Sequence, residues 1–265
     1  MLKDITIGQY IPGDSPVHHL DPRTKILSAV IFMVALFSVK TALGYISMGA
    51  FTLLAILLSQ IPFRYLLKGL KPVLIIIVFT VTLHLFLTPG TEIFRWGIFK
   101  ITWEGVRQGV FMGLRLIFLV FITSLLTLTT SPIRLTDGLE YLLSPGRKVG
   151  IPAHELAMMM SIALRFIPTL LEETEKIMKA QLARGADFES GNLWRRAKNM
   201  IPLLVPLFVN AFKRADDLAM AMEARCYRGG TGRTRLKELV MGTGDYVTLV
   251  LMALFLVFAV LTRYV

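Results

Sequence analysis

Cysteine and charge are both scarce in this chain. Cys226 is the single cysteine, which excludes an internal disulfide and a metal site built from several thiolates. Only 18% of the 265 residues are charged and 54% are hydrophobic, whereas a soluble domain of this size would carry more charge and less continuous apolar sequence. The composition therefore predicts an integral membrane protein.

Patterns typical of catalytic sites are also missing. The sequence has no Ser/His/Asp order, no HExxH helix and no paired carboxylates within an apolar segment, and its four histidines lack the spacing of metal ligands. The glycine-containing stretch Tyr227–Thr234 lacks the GxxxxGK[ST] spacing of a phosphate loop, which favours a simple connector. We therefore expect a non-catalytic protein with no metal and no cofactor of its own.

The formal net charge of +11 admits two interpretations. A basic protein can bind nucleic acid, but basic residues at the ends of apolar spans are also what membrane topology requires. The basic residues Arg64, Lys68 and Lys71 directly precede an apolar segment and follow another. We therefore expect this charge to face membrane lipid, and we expect no nucleic acid among the partners.

The apolar segments predict about five transmembrane helices. Residues 26–59 are too many for one crossing at about 1.5 Å per residue through about 30 Å of hydrocarbon, so we expect two spans that turn near Lys40. Three further spans are predicted at residues 72–87, 106–130 and 246–265. The expected fold class is thus an all-α integral membrane protein.

The predicted spans divide the chain into four parts. Residues 1–25 form a juxtamembrane arm, 26–130 transmembrane helices 1–4, 131–245 a helical domain in or under the membrane interface, and 246–265 the last transmembrane helix. Basic residues concentrate in the arm, in the linker after the second span and in the 131–245 domain, which holds 17 Lys and Arg. The positive-inside rule therefore predicts a multi-pass cell-membrane protein whose N-terminus and 131–245 domain are cytoplasmic.

Two apolar segments in the 131–245 domain are expected to be poor spans. Residues 156–171 and 200–212 are interrupted by polar residues and by prolines, among them Pro168 and Pro206. We therefore expect these segments to lie at the inner membrane interface.

His84 and Arg115 are ionisable residues inside predicted spans. Such residues usually face the interior of a helix bundle, so a transport site is one interpretation of them. The other interpretation is structural, because Arg115 is close enough to a span end to snorkel and His84 needs only one hydrogen-bond partner. Both interpretations stay open at this stage.

A short internal repeat ends two polar helices of the 131–245 domain. In each copy alanines at i and i+3 leave a narrow strip where another backbone can approach, and the planar guanidinium that follows can fork onto a carboxylate. The structural alternative is that arginine complements the helix dipole and the next residue caps the helix. Two copies favour docking into a partner. The copies are Ala183-Arg184-Gly185 and Ala224-Arg225-Cys226.

Taken together, these features resemble the transmembrane T component of energy-coupling factor (ECF) transporters, the ABC-type importers of vitamins and metal ions. The resemblance covers essentially the whole chain. The segments that carry it are Leu20–Lys25 before the first span, Thr129–Pro132 after the fourth, Ala163–Pro168, Gln181–Phe188 and Glu223–Tyr227.

The resemblance implies a complex of two ABC ATPase subunits, this T component and a small substrate-binding membrane subunit, the S component, that takes the vitamin or transition metal. It implies that residues 183–185 and 224–226 end coupling helices that dock on the ATPases, which bind the ATP, and that Cys226 fills a variable third position. Two alternatives stay open. One is a conventional ABC importer permease that holds the substrate pathway itself, and the other is an integral membrane enzyme using His84 and Arg115.

Overall fold

The computed structural model describes residues 10–96, 99–150, 152–188, 190, 192–229 and 239–263, and within these residues the chain is almost entirely helical. The α-helices are α1 Pro16–His19, α2 Pro22–Ser38, α3 Ala42–Ser59, α4 Phe63–Leu87, α5 Trp103–Thr129, α6 Pro132–Leu143, α7 Ala153–Ala183, α8 Leu193–Asn199, α9 Ile201–Ala224 and α10 Thr243–Leu261. A 3-10 helix covers Ser144–Val149, and the strands are β1 Glu92–Trp96 and β2 Phe99–Thr102.

Five helices among the described residues are long and apolar enough to cross a membrane, which confirms the predicted all-α membrane fold class. Four of them, α3, α4, α5 and α10, correspond to predicted spans. The fifth is α7, with 31 residues, whereas the first predicted span corresponds to α2, which has 17 residues. The set of long apolar helices therefore differs from the predicted set by one helix.

The chain folds into two compact units. Among the described residues, we call 10–142 and 239–263 the bundle unit, and 143–229 the helix-pair unit.

The core of the bundle unit lies among α2, α3, α5 and α10. Phe32, Leu36 and Met48 are completely buried there. The Phe51 ring stacks on Phe32 at 5.5 Å and on Phe255 at 4.7 Å between ring centroids. Because lipid tails are as apolar as these side chains, close van der Waals packing and not hydrophobic transfer stabilises such a core inside a membrane.

Glycine brings α4 and α5 into close contact. Gly105, Gly109 and Gly113 are buried and recur at every fourth position of α5, so they share one face of the helix. A Cβ atom on Gly105 would lie 2.8 Å from the backbone oxygen of His84 in α4. At the start of α5 the hydroxyl of Thr102 accepts from the Gly105 N–H at 3.1 Å, just after the antiparallel β1–β2 hairpin.

The main elements of the helix-pair unit are α7 and α9, and both are continuous. Pro168 and Pro206 each lie inside one of these unbroken helices. Residues 156–171 were expected to be a poor span, whereas α7, which contains them, is long and apolar enough to cross a membrane. Each proline leaves one hydrogen bond of the backbone ladder unmade, and the two helices pack along each other.

Candidate coupling site at two helix ends

The two helices of the repeat run antiparallel. The start of α7 contacts the end of α9, the middle contacts the middle, and the end of α7 contacts the start of α9. As a result the two arginine motifs lie at opposite ends of the helix pair, separated by the length of α9, which is about 36 Å for 24 residues. The contacts are His154 Nε2 with Tyr227 Oη at 3.1 Å, Arg214 with Glu173 at 3.2 Å, and Gln181 Nε2 with the Pro202 carbonyl at 3.3 Å.

Both helices end in the same Schellman cap. At the end of α7 the N–H of Ala186 donates to the Gln181 carbonyl at 3.0 Å, and the N–H of Gly185 donates to the Leu182 carbonyl at 2.9 Å. At the end of α9 the equivalent N–H groups, 41 positions further on, donate to the equivalent carbonyls at 3.0 and 2.8 Å. The backbone of the residues after each arginine therefore satisfies the last carbonyls of each helix.

The third position of the repeat is the left-handed residue of this cap. Gly185 has φ +85° and Cys226 has φ +56°. Glycine adopts this conformation freely, whereas a side chain there costs about 1–2 kcal/mol. The conformation, which sequence reasoning missed at Cys226, is therefore strained in one copy only.

Arg184 and Arg225 are both exposed, and in the described part of the chain neither forms an ion pair or a side-chain hydrogen bond. The alanine strips beside them are also exposed. The strip residues are Ala180 and Ala183 on α7, and Ala221 and Ala224 on α9. Each helix end thus presents a guanidinium next to a shallow strip that is open to a partner.

The repeat gives the helix pair an approximate two-fold symmetry. A rotation that superposes α7 on α9 places each residue of α7 on the residue 41 positions later in the sequence. Arg184, for example, is placed on Arg225. Glu173 and Arg214 are also 41 positions apart, so their ion pair lies on the axis of this symmetry. The amide of Asn210 donates to the second carboxylate oxygen of Glu173 at 2.6 Å.

Arg115 serves the packing of the bundle unit. Its guanidinium donates to the carbonyl of Val39, the residue that caps the C-terminus of α2, at 3.3 Å. It also lies over the ring of Phe37, 5.3 Å from the centroid. A cation at a helix C-terminus is favourable, so these contacts favour the structural interpretation of Arg115.

His84 is half-buried near the end of α4, and its Cβ faces Gly109 of α5. No hydrogen bond within the described residues reaches its ring. Arg115 contacts the end of α2, Tyr45 of α3 and Met112 of its own helix, whereas the Cβ atom of His84 lies near Gly109 of α5. No contact among the described residues joins the two side chains into one polar site.

The run Leu20–Lys25 is a buried polar centre that sequence reasoning missed. Arg23 is 4% exposed and forks onto both oxygens of the Asp21 carboxylate, each at 3.0 Å. Lys25 is 8% exposed and donates to the Thr129 carbonyl at 3.0 Å and to the Thr130 hydroxyl at 3.1 Å. The first residues of α2 are thereby tied to the end of α5.

Asp245 ties the same centre to α10. One of its carboxylate oxygens accepts from the Asp21 N–H at 2.8 Å, and the other accepts from the Gly242 N–H at 2.9 Å at the start of α10. Both Asp21 and Asp245 cap helix N-termini, where a carboxylate is stabilised by free N–H groups. The Asp-Pro step and the Gly-x-x-Asp spacing are the sequence signals for these caps.

Comparison with known proteins agrees with the architecture. A family model described as cobalt transport protein (CbiQ) matches residues 13–236. An energy-coupling factor transporter transmembrane protein EcfT of Clostridium kluyveri is 57% identical over 265 residues, which cover 99% of this chain and 98% of that protein. EcfT proteins of Heliobacterium modesticaldum and Bacillus subtilis are 61% and 52% identical, over 94% and 97% of this chain and 94% and 99% of those proteins. The resemblance found in the sequence is thus confirmed, and the chain belongs to the family of energy-coupling factor transporter transmembrane proteins.

Proposed function

We propose that this chain is the coupling subunit of an ATP-driven importer. In this role the Arg184 and Arg225 ends of the helix pair dock on two ABC ATPase subunits. The bundle unit anchors the chain in the membrane, and a separate small membrane subunit binds the substrate, a vitamin or a transition-metal ion. The chain itself performs no catalysis.

The observation that carries this proposal is the pair of helix ends that share the same backbone cap and an exposed arginine. Because the Schellman caps already satisfy the last carbonyls, neither arginine side chain is needed to end its helix. An exposed guanidinium beside an alanine strip suits a partner groove that contains a carboxylate. The two helices are antiparallel, so the two ends are related by an approximate two-fold axis. This arrangement suits contact with two partner grooves that are themselves related by two-fold symmetry.

Coupling follows from what the helix pair can transmit. ATP binding draws the two ATPases together, and the arginine-bearing helix end held in each groove moves with that groove. A continuous helix carries that displacement along its length, so α7 and α9 pass the motion to the membrane subunits. The contacts of the two ends must differ between the open and closed ATPase states, since only a difference in interaction free energy shifts an equilibrium.

The single cysteine provides a direct test of docking. Cys226 is exposed, next to Arg225, and it is the only thiol in the sequence. In the complex purified in mild detergent, maleimide modification of Cys226 should be at least about tenfold slower than in the chain stripped of its soluble subunits, because a docked end is shielded from solvent. Mass spectrometry should identify two ATPase chains and a small apolar membrane protein in the same complex.

An exchange of residues moves the thiol to the other end. Cys226→Gly combined with Ala186→Cys places it two residues after Arg184, at a position without a left-handed backbone conformation, and the same protection is expected there. A thiol at Ile93 in a Cys226→Gly chain is the control, because Ile93 is 56% exposed in β1 and far from the repeat in sequence. Protection at one end only, in a complex that contains two copies of this chain, would favour the conventional permease. Equal reactivity with and without the ATPases at both ends would refute docking.

Orientation is part of the proposal. The basic residues support a cytoplasmic N-terminus and helix-pair unit, with the C-terminus outside the cell membrane. In a Cys226→Gly chain, a cysteine at Ser190 should react with an impermeant reagent only from the cytoplasmic side, and one at Arg263 only from outside. Reaction of both from the same side would overturn this orientation.

A further inference from the structure

The Arg225 end of the helix pair contains a basic cavity. The cavity has a volume of about 610 Å³ and lies between the first half of α7, the last turns of α9 and the segment that follows α9. Three guanidinium-bearing residues line it, Arg165, Arg225 and Arg228. None of the described residues that line it is acidic.

The rest of the lining is apolar and adaptable. Met158, Leu218 and Met222 contribute to it, and all three are partly buried. Methionine is unbranched and polarisable, so it accommodates side chains of different shapes. The cavity therefore combines a cationic rim with walls that can take the aliphatic stem of an entering side chain.

The repeat shows that this cavity is specific to one end. At the Arg184 end the position equivalent to Arg165 is Pro206, and the position equivalent to Arg228 is Asp187. The equivalent positions thus carry three positive charges at one end, and one positive and one negative charge at the other. The backbone caps are the same at the two ends, whereas the charge is not.

Hydrogen bonds cross the equivalent space at the Arg184 end. The Asn199 amide donates to the Asp187 carbonyl at 2.6 Å, and the Gln181 amide donates to the Pro202 carbonyl at 3.3 Å. The positions equivalent to Asn199 and Gln181 at the other end are Met158 and Met222, which line the cavity. The polar bridges at one end are therefore replaced by apolar walls at the other.

We propose that the cavity beside Arg225 is a docking pocket for a protruding Asp or Glu side chain of the ATPase that meets this end. This inference rests on the proposed function and adds to it the chemistry of one partner surface. The acidic side chain enters among the three guanidiniums, and its aliphatic stem packs on the methionine walls. The Arg225 end is accordingly the more tightly held and the more salt-sensitive of the two attachments.

Charge complementarity is the reason for this choice of occupant. Three guanidiniums around one cavity repel each other, and a carboxylate between them relieves that repulsion while accepting forked hydrogen bonds. Such an interaction weakens as salt screens it, whereas apolar contacts do not. At the Arg184 end, Asp187 stands at the position equivalent to Arg228. An acidic side chain of a partner would therefore meet less positive charge there.

The test measures binding of the ATPases to immobilised full-length chain in detergent at several NaCl concentrations. The ATPases are those released from the purified complex by high salt and identified by mass spectrometry. The variant Arg165→Gln with Arg228→Gln keeps Arg225 and its cap. The matched control, Arg195→Gln with Arg196→Gln, removes two exposed charges from α8 near the other end.

The cavity variant should lower affinity at low salt by about tenfold or more and should flatten the dependence of log affinity on log salt. The control should change affinity by less than about threefold, the effect of exposed charges at a rim. The variant Arg165→Lys with Arg228→Lys should keep the salt dependence but bind about three- to tenfold more weakly, because ammonium lacks the planar fork.

Several outcomes would overturn the pocket. Equal loss in the cavity variant and in the control would mean that only net charge matters. Unchanged ATPase binding in the cavity variant, together with loss of copurified phosphatidylglycerol, would assign the cavity to a lipid headgroup. If the cavity variant binds normally but the Arg184→Ala, Arg225→Ala chain does not, the pocket is wrong and the proposed function stands. If that last chain also binds normally, the proposed function itself fails.

Discussion

Replacing both repeat arginines separates a role in docking from a role in ending the helices. We consider Arg184→Ala combined with Arg225→Ala. The two side chains are exposed, and the caps that follow them are made by backbone groups alone. The double variant should therefore still fold, insert in the membrane and retain the small substrate-binding subunit.

The magnitudes of the two effects are well separated. An arginine in the last turn of a helix contributes about 0.3–1 kcal/mol through the helix dipole, and an exposed side chain gives the lower part of that range. A guanidinium that forks onto a desolvated carboxylate in a partner costs about 2–5 kcal/mol when it is removed, because the carboxylate is left buried and unpaired. That loss corresponds to an affinity lower by about thirtyfold to several thousandfold for each end.

The assay combines hydrogen exchange, ATPase retention and ATP-driven uptake. Hydrogen exchange at the ends of α7 and α9 should change little in the double variant, whereas ATPase retention and uptake should be lost. Gly185→Ala is the opposite control, since a side chain at φ +85° should fray the last turn of α7 while leaving the arginine in place. Near-normal uptake by the double variant would refute the coupling role, and faster exchange at both ends would return the arginines to a capping role.

Three further predictions concern stability, each measured by thermal unfolding in one detergent. Gly105→Ala should lower the stability of the bundle unit by about 1–3 kcal/mol, because its new methyl group would meet the backbone of α4, whereas Gly244→Ala, with open space around its Cβ, should not. Asp245→Ala should cost about 1–3 kcal/mol, because the buried N–H of Asp21 and the part-buried N–H of Gly242 lose their acceptor. Glu173→Arg should destabilise the helix-pair unit by placing two guanidiniums together, and adding Arg214→Glu should restore most of the loss.

Periodicity and composition predicted the parts of the fold that depend on local sequence. The long apolar segments that form α3, α4, α5 and α10 could be predicted as spans from their length and composition. The repeat was visible because its alanines and arginines recur at fixed spacing. The left-handed residue of the cap could be predicted at Gly185, because glycine is common at that position. It could not be predicted at Cys226, because cysteine rarely adopts a left-handed conformation.

Features that depend on distant parts of the chain were not predictable in the same way. The Asp21–Arg23 pair lies in a run that looks like a solvated arm, and its burial arises only when the ends of α5 and α10 pack against it. Likewise, polar residues and prolines in residues 156–171 indicated a poor span, but α7 as a whole is a continuous helix long and apolar enough to cross a membrane. The basic cavity requires residues 60 positions apart in sequence, such as Arg165 and Arg225, and only the antiparallel pairing brings them together.

The ion pair on the symmetry axis bears on why one chain holds both helix ends. A residue on the two-fold axis of a homodimer faces its own copy, so a charged residue there meets a like charge and is repelled. In an internal repeat the two copies are free to diverge, and here the axial position holds Glu173 in one copy and Arg214 in the other, 3.2 Å apart. The ion pair is partly exposed, so it contributes about 1 kcal/mol or less to stability. The interaction is nevertheless attractive, whereas the same position in a homodimer would be repulsive. The same freedom to diverge allows one end to carry three guanidiniums and the other an aspartate. A single chain therefore has both a favourable crossing and two distinguishable helix ends, which two identical chains meeting on a two-fold axis cannot provide.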